Sequence, residues 1–328
     1  MKVLLTGATG YIGHELALAL ASKGIIVHAL VRDIESERVP KHKNIVLFKG
    51  DICNHESIEK AIDNCDYVFH TAAYTNLKDS RIDSFYNTNV LGTENILNAS
   101  LKFDVKKVIY TSTLSVFGPS YKDVFISENQ PRIVSYANDY ELTKGMSEER
   151  VNEYRKKGLS SIILNVSKVY GPGPGTYSNG VNRLISMFLK KDVLIVPNKL
   201  ESESNYVFIK DVVNAHILAM ESDISNGKYI IGGENISYNR LFNTIKTLTK
   251  SKIRVVKINY DLVKVCVFIL NLLKVVSRSN PVVTPKVIDS LFVNRLSTSE
   301  KAKKELHYKT TSFGVGLKET IQYLNKVS

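Results

Sequence analysis

The sequence predicts an α/β protein: a doubly wound parallel sheet joined to a smaller C-terminal α/β domain. Three observations carry that expectation. The first half alternates near-continuous apolar runs with amphipathic stretches, the pattern of strands buried on both faces of a parallel sheet and covered by helices. A turn with glycines at 7, 10 and 13 follows the first apolar run at once. From about Gly171 the texture changes: "YGPGPGTYSNG" is a Gly/Pro-rich loop, and the segments after it are shorter.

The opening run "KVLLT", 2–6, reads as a buried strand and not as a signal peptide. Further strands are expected over 25–31, 45–49, 67–71, 107–112 and 161–166, with helices over 11–23, 55–63, 82–101 and 139–156 between most of them. This gives a first unit over 1–170, to which some later segments return, and a second over 171–328. In the second unit strands are expected over 193–196, 206–209, 229–231 and 254–257, and helices over 211–221 and 238–249. Near the end Ser297 and Glu300 fit a capping box, and a last helix starts near Gly314. The most apolar segment, "VCVFILNLL" over 265–273, lies between Lys264 and Lys274. It falls short of the ~20 residues a bilayer span needs, so no integral membrane segment is expected. It predicts a buried helix or an apolar wall of a substrate site.

Composition bounds the function class. Of 328 residues, 44% are hydrophobic and 23% charged, as in ordinary soluble globular proteins. The net charge of +12 comes from lysines spread along the chain, with no aromatic-basic alternation. That describes a solvated surface and argues against a nucleic-acid partner. Cys53, Cys65 and Cys266 lack metal-ligand spacing; they read as reduced thiols in a cytoplasmic protein, and no metal site is expected.

The glycine turn lies between a strand and a helix. There Gly7 permits the tight turn, Gly10 lets a pyrophosphate approach the helix N-terminus, and Gly13 lets the helix pack on the sheet. This is the dinucleotide-binding arrangement of a Rossmann sheet. It makes Gly7, Thr9, Gly10, Tyr11, Ile12 and Gly13 cofactor-binding candidates, the first unit a dinucleotide-binding domain and the second mainly a substrate-binding domain. The second strand ends "ALVRD". Val31 stands where an acid would bind the ribose 2′-OH of NAD, and Arg32 follows, which suits a 2′-phosphate. NADP(H) is therefore the expected cofactor, with NAD(H) as the alternative, because Asp33 would restore an acid after a one-residue slip.

"YELTK" places Tyr140 and Lys144 one helical turn apart on one face, after Asn138 or Asp139 as cap. A phenol ordinarily titrates near ~10. A neighbouring ammonium would lower it and make an acid/base pair.

With these two motifs the chain resembles the extended short-chain dehydrogenase/reductase, or NAD(P)-dependent epimerase/dehydratase, family. "GDI" with Asp51, "HTAA" at 70–73, "NTNVLGTENIL" with Asn89, "YTSTLSVFG" at 110–118, "VYGPGPG" at 169–175 and the closing "STSEKAKKELHY" follow in family order. The resemblance implies that Asp51 and Ile52 flank the adenine and that Ala72 and Ala73 line the cofactor groove. It implies that Thr113 is the catalytic hydroxyl, Tyr140 the acid/base, and Lys144 its tuner and a ribose ligand. Asn89 would orient the central helix or a proton-relay water.

Departures from the pattern narrow the chemistry. Dehydratases of the family usually carry Asp-Glu after the catalytic Thr; here Leu114 and Ser115 stand there. In "SNYVFIKD", Ser204 replaces an Arg that grips a sugar-nucleotide diphosphate and Asn205 replaces an Asp, which leaves Arg183, Arg240 or Arg295 as substitutes. Asn165-Val166, the "VRD" tip and "GGENISY" look more like the dihydroflavonol reductase branch. The expected function is NADPH-dependent reduction of a small-molecule ketone or aldehyde. The alternatives are an NAD-dependent sugar-nucleotide epimerase and, third, a non-catalytic NAD(P)-sensing protein. A homodimer through the helices over 82–101 and 139–156 is expected.

Overall fold

The structure is a computed structural model that describes residues 1–76, 81–122, 124–176, 178–276 and 285–327. In chain order the first part contains β1 (Lys2–Thr6), α1 (Tyr11–Ser22), β2 (Ile26–Val31), β3 (Ile45–Lys49), α2 (His55–Ile62), β4 (Tyr67–His70), α3 (Ile82–Phe85), α4 (Gly92–Lys102), β5 (Lys107–Thr113), α5 (Asp139–Lys156) and β6 (Ser161–Val166). The rest contains β7 (Lys168–Tyr170), α6 (Gly180–Lys190), β8 (Val193–Pro197), β9 (Glu203–Phe208), α7 (Ile209–Glu221), β10 (Asn226–Ile231), β11 (Glu234–Ser237), α8 (Tyr238–Thr249), β12 (Arg254–Ile258), α9 (Tyr260–Val276), α10 (Pro285–Leu291), α11 (Glu300–Leu306) and α12 (Phe313–Lys326).

Seven strands form one sheet in the order β10-β6-β5-β4-β1-β2-β3, with every neighbouring pair parallel. The two-residue period of a strand sorts its side chains to two cores. Val3 and Leu5 of β1 pack with Leu16 and Leu20 of α1 and Val212 of α7. Leu4 between them packs with Ile58 of α2, Ile96 of α4 and Val151 of α5. The strand order reverses between β1 and β4, the switch point at which such sheets bind ligands beyond their carboxyl ends. The C-terminal part supplies β10 to the large sheet, a three-stranded sheet β11-β9-β7 and a two-stranded sheet β12-β8.

Several sequence expectations need correction. The helix expected over 82–101 is broken into α3, a π-helical turn Tyr86–Leu91, and α4. At this break a Cβ on Gly92 would meet Ile52 Cδ1 at 2.6 Å, so any side chain there would have to push the Ile52 side chain aside. Ser297 does not cap the helix near the end. Its backbone amide donates to Asn235 Oδ1 at 3.0 Å, its backbone forms a bridge with Ile126, and α11 begins after Ser299. Ser299 caps nothing either, because its hydroxyl accepts from Gly232 N. The apolar run over 265–273 is not a buried helix as far as its side chains are described. In α9, Val265, Phe268, Ile269 and Leu270 are 52%, 59%, 49% and 56% exposed, and none lines the substrate cavity. The helix is held instead by its first turns: Tyr260 Oη donates to Asp289 and Lys264 pairs with the same carboxylate at 2.9 Å. Among the described residues no helix is long and apolar enough to cross a membrane.

Candidate active site

One cavity of about 990 Å³ opens over the switch point. Gly7, Thr9, Gly10, Tyr11, Ile12, Gly13, Arg32, Asp51, Ile52, Ala72, Ala73, Thr113, Tyr140 and Lys144 all line it.

At the nucleotide end the backbone shapes the site. Gly7 has φ +79°, and a Cβ there would lie 2.6 Å from Ala72 N. A Cβ on Gly13 would lie 2.2 Å from Gly7 O, so α1 can seat against the turn only without a side chain. Gly10 precedes α1 and provides no side-chain cap, so the first amides of the helix keep their donor capacity toward the cavity. Tyr11 is buried and its phenol donates to Gly171 O at 2.7 Å, tying the turn to the loop that starts the substrate half. These residues fit a dinucleotide: a cradle that any Cβ would fill, and an uncapped helix terminus facing it.

At the tip of β2, Val31 is buried and Arg32 lines the cavity. Asp33 does not line it; its carboxylate accepts from Glu35 N at 3.0 Å. Sequence reasoning missed Arg38, a second arginine that lines the cavity; no local motif marks it.

The catalytic candidates come from β5 and α5. Asn138 caps α5 by accepting from Glu141 N at 2.9 Å, which fixes the first turn that carries Tyr140. Thr113 ends β5 and caps a 3₁₀ turn, Leu114–Phe117, through Ser115 N at 3.2 Å. Its hydroxyl is 3.0 Å from that of Ser115, another cavity-lining hydroxyl. Lys144 is buried; its Nζ donates to Thr111 O at 2.7 Å and sits 4.1 Å from the Tyr110 ring centroid. Asn89 binds the segment after β4 to α5. Its side chain accepts from Tyr74 N at 2.7 Å and donates to Thr143 Oγ1 at 3.0 Å, and its carbonyl accepts from Ser147 Oγ at 2.6 Å. It braces the helix that carries Tyr140 and Lys144.

The electrostatics differ from the expectation that Lys144 draws Tyr140 down. Desolvation pushes the phenol up to about 12, moderated by a hydrogen bond with Thr113. Desolvation also pushes Lys144 down to about 7, with Glu148 acting the other way. The Lys144 ammonium is engaged by the Thr111 carbonyl.

The substrate half is lined by Thr176, Leu184, Leu200, Tyr206, Tyr238 and Phe292 among others. Of the three arginines considered as diphosphate clamps, Arg183 and Arg295 line the cavity, while Arg240 pairs with Glu234 at 2.8 Å outside it. Lys168 was not anticipated. It opens β7, is drawn into the cavity wall, and donates to Ser204 Oγ at 2.9 Å. Ser204 therefore keeps cationic company although the arginine expected at its own position is missing.

A model of the NAD dependent epimerase/dehydratase family matches residues 3–232. Short-chain dehydrogenase/reductase family 42E member 1 from Macaca fascicularis is 29% identical over 349 residues, 98% of this chain and 86% of its own. A putative dihydroflavonol 4-reductase from Synechocystis sp. is 28% identical over 252 residues, 75% of this chain and 71% of its own. The structure of a UDP-glucose 4-epimerase from Thermotoga maritima with UDP-glucose superposes with a TM-score of 0.82 at 25% identity, over 100% of this chain and 99% of its own.

Proposed function

The chain belongs to the NAD-dependent epimerase/dehydratase family, and from that premise we propose that it is an NADPH-dependent reductase of a small-molecule ketone or aldehyde. The observation that carries this reading is the convergence of Thr113, Tyr140 and Lys144 on the cavity that also holds the glycine turn. Desolvation keeps the Tyr140 phenol protonated in the neutral range, so it can serve as the proton donor that carbonyl reduction needs. Reduction over sugar-nucleotide epimerisation is supported by Ser204 in place of the diphosphate-gripping arginine.

NADPH, when bound, supplies the hydride. Tyr140 gives its proton to the substrate oxygen, and the Thr113 hydroxyl donates to that oxygen as charge develops, a contribution on the order of 3 kcal/mol. Lys144, pushed to about 7, exchanges protons at neutral pH and restores the phenol. The choice of NADPH is supported by Val31 in place of an acid, by Arg32 and Arg38 on the wall, and by Asp33 being turned to Glu35 N. The same reading has the protein working as a homodimer through α4 and α5, where Leu101 is 40% exposed; light scattering at twice the chain mass checks it.

A second reading, an NAD-dependent sugar-nucleotide epimerase, is favoured by one observation: Lys168 and the backbone of Arg295 flank Ser204, where the family's diphosphate-gripping arginine would stand. Tightly retained NAD after purification, with a rise in melting temperature on adding UDP-sugars, would select it. The test of the reductase reading is Tyr140→Phe assayed against a carbonyl panel at the nicotinamide absorbance band. Turnover should fall by roughly 10³-fold with NADPH affinity unchanged. Wild-type turnover in the variant would refute the assignment.

A further inference from the structure

We propose that Lys168 and Arg295 form a subsite for an oxyanion carried by the carbonyl substrate, a carboxylate or a phosphate. The proposal rests on the reductase reading of the same cavity and names its substrate class. Both residues line the substrate half. Lys168 lies two residues beyond Val166, which pairs with Thr113 across β6 and β5. Its Nζ donates to Ser204 Oγ and lies 5.5 Å and 5.3 Å from the Tyr206 and Tyr238 ring centroids. Among the described residues no carboxylate pairs with it. The backbone of Arg295 meets the same serine, forming a bridge with Ser204. One guanidinium nitrogen donates to Ser290 O at 2.9 Å and another to Glu141 at 2.8 Å, but Nε is buried and has no acceptor.

The local charge does not balance. Glu141 is shared by Arg132 at 2.9 Å and Arg295 at 2.8 Å, so this carboxylate already serves two arginines and leaves nothing for Lys168. Desolvation and the neighbouring Arg295 push Lys168 down to about 7, the response of a cation without a counter-charge. A cation withdrawn from water is costly unless something pairs with it. Here the half-buried Lys168 lines a ligand cavity beside a serine that accepts from it and keeps its own proton to donate. A substrate oxyanion would satisfy both. The subsite is also tied to the reacting centre: the carboxylate that holds Arg295 belongs to Glu141, the residue after Tyr140 on α5. An anion seated there would orient the carbonyl toward the phenol.

The test has two arms on the full-length protein. In the first, sodium sulfate is titrated calorimetrically, at constant ionic strength, into protein saturated with NADP⁺, so that the cofactor's own phosphate sites are filled. Saturable binding is expected, weakened at least tenfold in Lys168→Met and restored in Lys168→Arg. Binding that is absent, or equal in wild type and Lys168→Met, overturns the subsite. In the second arm NADPH oxidation is compared for benzoylformate against its methyl ester, and for glyceraldehyde 3-phosphate against glyceraldehyde. A tenfold preference in kcat/KM for the acid, or for the phosphate, that collapses in Lys168→Met supports the proposal and identifies the group. Turnover without either preference overturns it while leaving the reductase reading intact. If no carbonyl is turned over, the reductase reading falls, and the sulfate arm alone decides the subsite.

Discussion

The two ends of the cavity are built on opposite principles. The nucleotide end is made of backbone: Gly7 and Gly13 give the chain room to fold against itself, and uncapped amides of α1 face the ligand. The substrate end is made of side chains gathered from distant elements: Glu141 of α5, half-buried Lys168 of β7, Ser204 of β9 and half-buried Arg295 before α11, with the Lys168 ammonium and the Arg295 backbone meeting at Ser204. The first design binds what every member of such a family binds and is written into one short stretch of sequence. The second can vary residue by residue without disturbing the sheet, so that is where specificity can diverge.

The comparison breaks most easily at the nucleotide end. In Gly13→Ala the added Cβ would sit 2.2 Å from Gly7 O and 2.7 Å from Gly7 C, backbone atoms that cannot swing aside as the Thr71 hydroxyl at 2.6 Å can. The turn must shift, and with it the amides that face the pyrophosphate. NADPH affinity should drop by roughly 100-fold, a few kcal/mol, in line with losing charge-assisted hydrogen bonds to a phosphate. Fluorescence titration of bound NADPH checks this. Affinity within threefold of wild type would show that the turn tolerates a displacement and that backbone fit is not what holds the cofactor.

The same contrast explains what the sequence could disclose. β1, the glycine turn and α1 follow from local rules, an apolar run and glycines at a fixed spacing, and α5 spans Asp139–Lys156 because its cap and its pattern are both local. The π-helical turn at Tyr86–Leu91 was not legible, since its sequence keeps a helical texture and the break sits where Gly92 of α4 meets Ile52, which is far off in sequence. Ser297 and Glu300 satisfy a capping pattern on paper, but tertiary pairing with Asn235 claims Ser297 first. The run over 265–273 discloses that it is apolar and not what it faces. Lys168 reads as an ordinary lysine before a Gly/Pro loop; only the fold reveals that it is half-buried on the cavity wall, with no carboxylate among the described residues paired to it. Properties set by neighbours in sequence were readable, and those set by neighbours in space were not.

A smaller effect sharpens the cofactor assignment. Arg32 and Arg38 both lie on the wall next to the apolar Val31. If they hold a 2′-phosphate, Arg32→Ala and Arg38→Ala should each weaken NADPH about tenfold, an amount typical of one exposed charge-assisted contact, and leave NADH affinity unchanged. Equal losses for both nucleotides would mean that the arginines act on the shared part of the cofactor, and the NADPH preference would lose its basis.

The smallest effect concerns stability, and at the substrate end it is carried by Lys168. Lys144 and Lys168 are both pushed to about 7 by burial, while a lysine in the unfolded chain keeps its proton to about 10.4. Between these values the unfolded state binds more protons than the folded one, so stability rises with pH across that window, by at most about 1.4 kcal/mol per pH unit for each lysine. Lys107, also lowered by burial, adds in the same direction. Above pH ~10 the slope reverses, because unfolded tyrosines ionise there while Tyr140 holds its proton to about 12. Lys168→Met removes one contributor and the uncompensated charge with it. Chemical denaturation at pH 7.5 and 9.5 should therefore find the variant more stable than wild type at the lower pH, with a visibly shallower rise between the two. An unchanged slope would mean that Lys168 is paired or hydrated in solution, and the substrate end would then be no more charged in its interior than the nucleotide end.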